Sequence, residues 1–273
     1  MQKFLKKDNN KAFSLIELAV VILIIGILVA AVTQGGKLVS RAKLTSAKTM
    51  TQSSPVSGIE NLSLWLETVT DQSFAAEDKN DLKEISSWID IQFLSSKKNA
   101  KKSDVSGKSP IYRDSSLKNL PALHFGVDAT LVAITGGTPV KFENAFFLED
   151  SDYTIFVVEK RDETKGAAVT AFIDCAAGFK IDLPAASSSE KPPASIVTYS
   201  YKGGTPFLYV NGKSATVQTG NTFTDSNISS CNIAANYVGN IGEIIMFSKA
   251  LEDEELKLVH QYLSKKWVIR LNN

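Results

Sequence analysis

Cysteine and histidine are scarce. The 273-residue chain has two of each, Cys175 and Cys231, His124 and His260. The cysteines lie far apart and form no Cys-x-x-Cys pair, so neither a zinc ribbon nor a thioredoxin-type motif is indicated. No His-Glu-x-x-His run and no Gly-x-Ser-x-Gly elbow occurs, which removes the usual sequence support for a hydrolase. An excess of one charge is also missing. With 30 Lys and Arg against 29 Asp and Glu, no basic field points to nucleic acid.

What is there is a long apolar run close to Met1. Residues 1–12 are short and polar, with Lys3, Lys6, Lys7 and Lys11 outweighing Asp8. From Phe13 to Val32 only Ser14 and Glu17 are polar. At the helical rise, twenty residues cover about 30 Å, the thickness of a bilayer's hydrocarbon core. The basic leader favours a cytoplasmic start, and Lys37, Arg41 and Lys43 on the other flank oppose it. A secretory signal peptide also begins this way. However, the run Leu18 to Val32 is at the long limit of such a core, and no Ala-x-Ala triplet follows it. A plain membrane anchor accounts for the length but not for Glu17. A mid-membrane acid costs about 2.5–3.5 kcal/mol, less near an interface where it can snorkel.

The ordered string Lys11, Ala12, Phe13, Ser14, Leu15, Ile16, Glu17, Leu18 resembles the N-terminus of type IV prepilins and of the pseudopilins of type II secretion. The resemblance implies cutting by prepilin peptidase between Ala12 and Phe13, followed by N-methylation of Phe13. The cut precedes the apolar run, so the anchor would stay on the mature chain. Position 12 is Ala where the family usually has Gly. In the family the acid at Glu17 neutralises the new amine of a neighbouring subunit during assembly. A buried ammonium needs such a partner. Gly35-Gly36 is expected to loosen the helix, KLVSRAKLTSAKTM to resume it, and Pro55 and Gly58 to end it.

From Leu62 onward the pattern is short and alternating. LSLWL, PALHF, DYTIFVVEK, AVTAFID, FKIDL, SIVTYSY, PFLYV and IGEIIMF read as strands. Asn211-Gly212 between PFLYV and KSATV predicts a type I′ hairpin. Many short strands without interleaved long helices predict a β-sandwich. KKNAKKSDVSGKSP and AASSSEKPPAS read as polar loops, and Lys97, Lys98, Lys101 and Lys102 as solvated charge. LEDEELKLVHQYLSKKW puts acids first and lysines last, which suits a helix dipole. Leu256, Val259, Leu263 and Trp267 share one face, so a short helix should cap the sandwich.

In order along the chain, Leu62 to Leu66, Trp88-Ile89-Asp90, Leu120 to Phe125, Tyr153 to Val158, Tyr209 to Gly212, Ile241 to Ile245 and Leu263 to Trp267 resemble the laminin-G-like, concanavalin A-like lectin/glucanase jelly roll. Two loops depart from it: IQFLSSKKNA after Trp88-Ile89-Asp90, and Gly126-Val127-Asp128 after Phe125. The Glu-x-Asp-x-x-Glu strand of glucanases on this fold does not occur, so no catalytic residue is expected and the protein reads as no enzyme. Glu243 reads as a lone pairing or edge charge, both histidines as structural, and Glu252 to Glu255 as helix-start charge.

The division expected is a leader at 1–12, the membrane helix at 13–50, a linker at 51–61 and the jelly-roll head at 62–273. Some members of the lectin-like family bind calcium. Asp128, Asp150, Asp152 and Asp174 fall near predicted strand ends, but no loop spacing selects a ligand set. If the head is exported, Cys175 and Cys231 can pair as one disulfide; two separate buried thiols remain the alternative.

The function expected is that of a minor type IV pilin-like subunit displaying a lectin-like head for adhesion or recognition of carbohydrate or a surface protein. It would sit in the bacterial inner membrane with a cytoplasmic leader and an extracytoplasmic head, and then in a pilus or pseudopilus. Its partners would be prepilin peptidase and other pilin or pseudopilin subunits. A minor pseudopilin of type II secretion and an unprocessed, membrane-tethered binding module are the alternatives.

Overall fold

The computed structural model describes residues 15–85, 87–92, 99–102, 110–125, 140–142, 152–162, 172–175, 180–183, 192–217, 231–234 and 237–272. Helix α1 runs from Leu15 to Gln52. It continues through Gly35-Gly36 without a break, where the sequence predicted loosening. Two glycines cost about 2 kcal/mol against alanine, and the good helix formers on either side carry the hydrogen-bond ladder across them. The chain divides into two compact units at Ala42/Lys43, inside α1.

The second unit contains the last turns of α1 and everything after them. Residues 51–61, expected as a linker, carry a 3-10 turn at Pro55–Gly58, with Val56 and Ile59 buried. The first strands are β1 (Leu62–Glu67), β2 (Ser87–Trp88), β3 (Ala100–Lys102), β4 (Ile111–Leu117) and β5 (Leu120–Phe125). They are followed by β6 (Val140–Phe142), β7 (Tyr153–Arg161), β8 (Ile173–Cys175), β9 (Lys180–Ile181) and β10 (Ser195–Lys202). Then come β11 (Thr205–Val210), β12 (Lys213–Ala215), β13 (Cys231–Ile233), β14 (Gly239–Phe247) and helix α2 (Asp253–Trp267).

The strands form two antiparallel sheets. The larger runs β12-β11-β10-β7-β14-β5-β4, with β1 also on β14; the smaller runs β2-β3-β6-β13-β8-β9. Strand β14 organises the larger sheet. One edge pairs with β7, and the other pairs first with β5 and then with β1. Its register shifts between Ile241 and Glu243, where the partner changes. A bulge of this kind lets one strand serve two neighbours.

Strand alternation sends the larger sheet's side chains into two cores. Leu64, Leu66, Phe125, Ile155, Val157, Tyr199 and Met246 meet Trp88, Ile173, Ile181 and Ile233 of the smaller sheet. Trp65, Phe156, Val158, Ile196, Ile245 and Phe247 face the other way, against Ala47, Val56, Leu256, Val259, Leu263 and Trp267. The larger sheet is thus covered on both faces. The chain is a long apolar helix followed by an all-β sandwich with a short capping helix, as its pattern predicted.

The Asn211-Gly212 hairpin is present, with φ of 52° and 83°. The run read as the loop KKNAKKSDVSGKSP contributes β3 at Ala100–Lys102, because its backbone pairs with β2 and β6. The AVTAFID strand is described only as β8, and most of AASSSEKPPAS lies outside the described residues.

Candidate functional site

Two features of the chain call for a functional account. One is the surface of α1. Within Leu15–Val32 every large apolar side chain is exposed, Leu15 at 85% and Val32 at 74%. This helix is long and apolar enough to cross a membrane, with a mean hydropathy of 3.1 over its most apolar window and none of that window buried. Apolar surface of this extent is strongly unfavourable in water at about 25 cal/mol per Å², so it must be covered by lipid or by other chains. Glu17 is the acid of the first turn of α1, where the positive end of the helix dipole favours it. Ala12 and Phe13 lie outside the described residues.

The other feature is a buried cluster of charges in the second core. Glu67 on β1 and Glu243 on β14 are register partners. The ammonium of Lys266, on the last turn of α2, sits between them at 3.1 Å from Glu67 Oε2 and 2.9 Å from Glu243 Oε2. Lys266 also donates to the Tyr262 hydroxyl at 3.1 Å, beside its hydrogen bond to Glu67 and its ion pair with Glu243. Glu67 accepts from the Val69 and Thr70 backbone at 2.8 and 2.7 Å, and from the Thr70 and Ser73 hydroxyls at 2.5 Å each. Glu243 accepts from the Trp65 and Trp267 indoles at 2.7 Å each and from Tyr262 at 2.8 Å.

Burial alone would raise the Glu67 carboxyl. The Lys266 charge and the Ser73 and Thr70 donors outweigh it and hold the group below the usual carboxylate value. Burial, then the Glu243 charge, pushes the Tyr262 phenol far up, so it stays a donor. Gly242 is required beside this cluster, because a Cβ there would lie 2.4 Å from the Trp267 ring.

This arrangement can hold but not react. Both carboxylates have their lone pairs occupied and are 0% and 1% exposed, so neither can reach a sugar as acid or nucleophile. Lys266 instead ties α2 to the two strands. A second tie lies outside the core, where Lys48 of α1 donates to Asp71 at 2.7 Å. That pair is exposed and contributes little.

Other residues singled out in the sequence fall as follows. His260 on α2 is buried and bonds Thr198 Oγ1 at 2.9 Å through Nε2. His124 on β5 is buried, with Nδ1 3.3 Å from Asn240 Oδ1. Burial lowers both imidazoles, His260 to about 4. Glu252 caps α2 in a reciprocal box with Glu255. Asp90 accepts from the Trp65 backbone at 3.0 Å, and Trp88 donates to the Glu67 carbonyl at 2.7 Å. Asp128 and Asp150 lie outside the described residues, and Asp152 accepts from the Gly203 backbone at 2.7 Å. Asp174 lies on β8. Among the described residues no group of three or more His, Cys, Asp or Glu is placed to hold a metal ion. Cys175 and Cys231 are register partners on β8 and β13.

Glu67 and Lys266 were not legible as partners of Glu243. The available signal was the placement of acids inside apolar strands, LSLWLE and IGEIIMF, which demands a buried cation.

Comparison with known proteins agrees with the reading of the first residues. The family model described as the prokaryotic N-terminal methylation motif matches residues 7–33. The chain therefore carries a type IV prepilin-like methylation motif at the start of its apolar helix. No curated protein matches the chain.

Among solved structures, Trypanosoma rangeli sialidase in complex with 2,3-difluoro-KDN is 11% identical, covering 85% of this chain and 39% of that one, with a TM-score of 0.47. Domain 4 of AbnA, a GH43 extracellular arabinanase from Geobacillus stearothermophilus, in complex with arabinotriose, is 17% identical. That match covers 72% of this chain and 98% of that one, with a TM-score of 0.44. The binding domain of botulinum neurotoxin DC in complex with rat synaptotagmin II is 11% identical, covering 76% and 52%, with a TM-score of 0.44. The chain spans about a third of the length of the sialidase structures, 32% and 34% in two of them. The two-sheet architecture itself follows from the strand pairing given above.

Proposed function

We propose that the protein is a minor type IV pilin-like subunit. Prepilin peptidase cuts it between Ala12 and Phe13 and methylates the Phe13 amine. The apolar helix holds the precursor in the bacterial inner membrane and then packs among other subunits. Glu17 meets the amine of a neighbouring subunit and sets the register between them. The sandwich head, of the laminin-G-like and concanavalin A-like kind, is displayed outside the cytoplasm for adhesion to carbohydrate or a surface protein.

The observation that supports this most is the methylation motif on residues 7–33, leading into a helix whose large apolar side chains are exposed from Leu15 to Val32. The covered carboxylate pair supports a structural rather than a hydrolytic head. A pseudopilin of type II secretion shares the same N-terminal chemistry. It would be favoured if the protein assembles with secretion subunits.

The test is the mature N-terminus, read by mass spectrometry on protein from cells with prepilin peptidase. N-methylated Phe13 is expected. A chain beginning at Met1 would leave a tethered module that never enters a filament. Glu17→Ala is expected to be cleaved normally yet absent from sheared filaments.

A further inference from the structure

We infer that Cys175 and Cys231, which strand register sets directly opposite each other, are joined by a disulfide between β8 and β13 of the smaller sheet. The β8–β13 ladder pairs Cys231 with Cys175, Asn232 with Asp174 and Ile233 with Ile173. Directly opposed residues of an antiparallel pair have Cα atoms about 4.5 or 5.5 Å apart. Both values fall within the roughly 4.4–6.8 Å that a disulfide spans. Ile173 and Ile233, each two positions from a cysteine along its strand, are fully buried between the sheets.

The sheet has reason to need the bond. β8 and β13 have three residues each and β9 has two, so few ladder hydrogen bonds hold them. β13 lies inside the sheet, between β6 and β8. The closed segment contains β9 of the smaller sheet and β10, β11 and β12 of the larger, so one covalent tie constrains strands of both. A loop of that length removes much freedom from the unfolded chain.

Closing the bond releases two thiol protons and two electrons. They pass to a protein disulfide of the extracytoplasmic thiol-oxidising class, which leaves as a dithiol. The inference rests on the head lying outside the cytoplasm, as proposed above, since cytosolic thiols stay reduced.

The test uses the full chain from bacterial membranes, denatured in N-ethylmaleimide without reductant and digested for mass spectrometry. A single linked peptide joining Cys175 to Cys231, two hydrogens lighter than its parts, is expected, with no maleimide on either. In parallel, reduced full-length protein in detergent is given oxidised glutathione, and intramolecular closure is expected. Glutathione on both cysteines, or free thiols after this treatment, would overturn the pairing. Free thiols in cells together with closure in glutathione would keep the pairing and remove the extracytoplasmic placement. Reductant should lower the wild-type melting midpoint by several degrees and leave a Cys175→Ser/Cys231→Ser variant unmoved.

Discussion

β14 runs for nine residues and pairs with three neighbours, whereas β13 runs for three and pairs with two. The larger sheet is packed on both faces, and its charges are answered inside the core by a helix that arrives from elsewhere in the chain. Among the described residues the smaller sheet has one apolar core and short ladders. The lesson is that strand length and two-sided burial can replace covalent support, and that short strands cannot supply either.

The difference should be easiest to break at Lys266. Lys266→Met leaves Glu67 and Glu243 buried without a cation. A loss of about 3–5 kcal/mol is expected in denaturant unfolding. Replacing both acids as well, by Gln, should recover a substantial part. A loss below about 1 kcal/mol would mean that the indole and hydroxyl donors hold the strands by themselves.

Acid should weaken the same core through His260. Its imidazole is lowered to about 4 by burial, against 6.5 in the unfolded chain. The unfolded state therefore binds a proton first as pH falls. Stability is full above pH 6.5 and declines down to about pH 4, by roughly 3 kcal/mol at 1.36 kcal/mol per pH unit. Glu67 acts in the same direction at lower pH, because its depressed carboxyl stabilises the fold only while ionised. Unfolding curves of His260→Gln between pH 7 and 4 should be flatter than those of the wild type.

Gly242→Ala would press a methyl against the Trp267 ring and should cost about 1–3 kcal/mol. The cost should shrink when Trp267 is made smaller, and equal costs in both backgrounds would refute the packing explanation. The smallest effect is expected at Val268. This β-branched residue ends α2 in the left-handed region, at φ 51°, with its side chain 67% exposed. Val268→Gly should raise stability by up to about 1 kcal/mol, visible as a higher melting midpoint.

The sequence disclosed what local pattern can carry. β7, β10 and the β11–β12 hairpin follow from alternation and from Asn211-Gly212, and α2 follows from its acids, its lysines and its apolar face. It did not disclose β4, whose IYRDSSL is polar at its middle. The β4–β5 turn is also concealed, because Lys118 and Asn119 take φ of 56° and 64° without a glycine. β3 was hidden in a lysine-rich run. The charge cluster was illegible for a different reason. Glu67 and Lys266 stand 199 positions apart, and nothing in the spacing of residues encodes which strands will meet. The two cysteines were visible as a pair, but their juxtaposition required the register.

That separation of 199 positions also sets a schedule. At roughly 5–20 residues per second, a ribosome makes Lys266 about 10–40 seconds after Glu67. For that interval Glu67 has no cation to close on, and for most of it β14 has not been made to cover that acid. The sheet cannot lock early around its first strand, so the nascent chain stays pliable until α2 has been made.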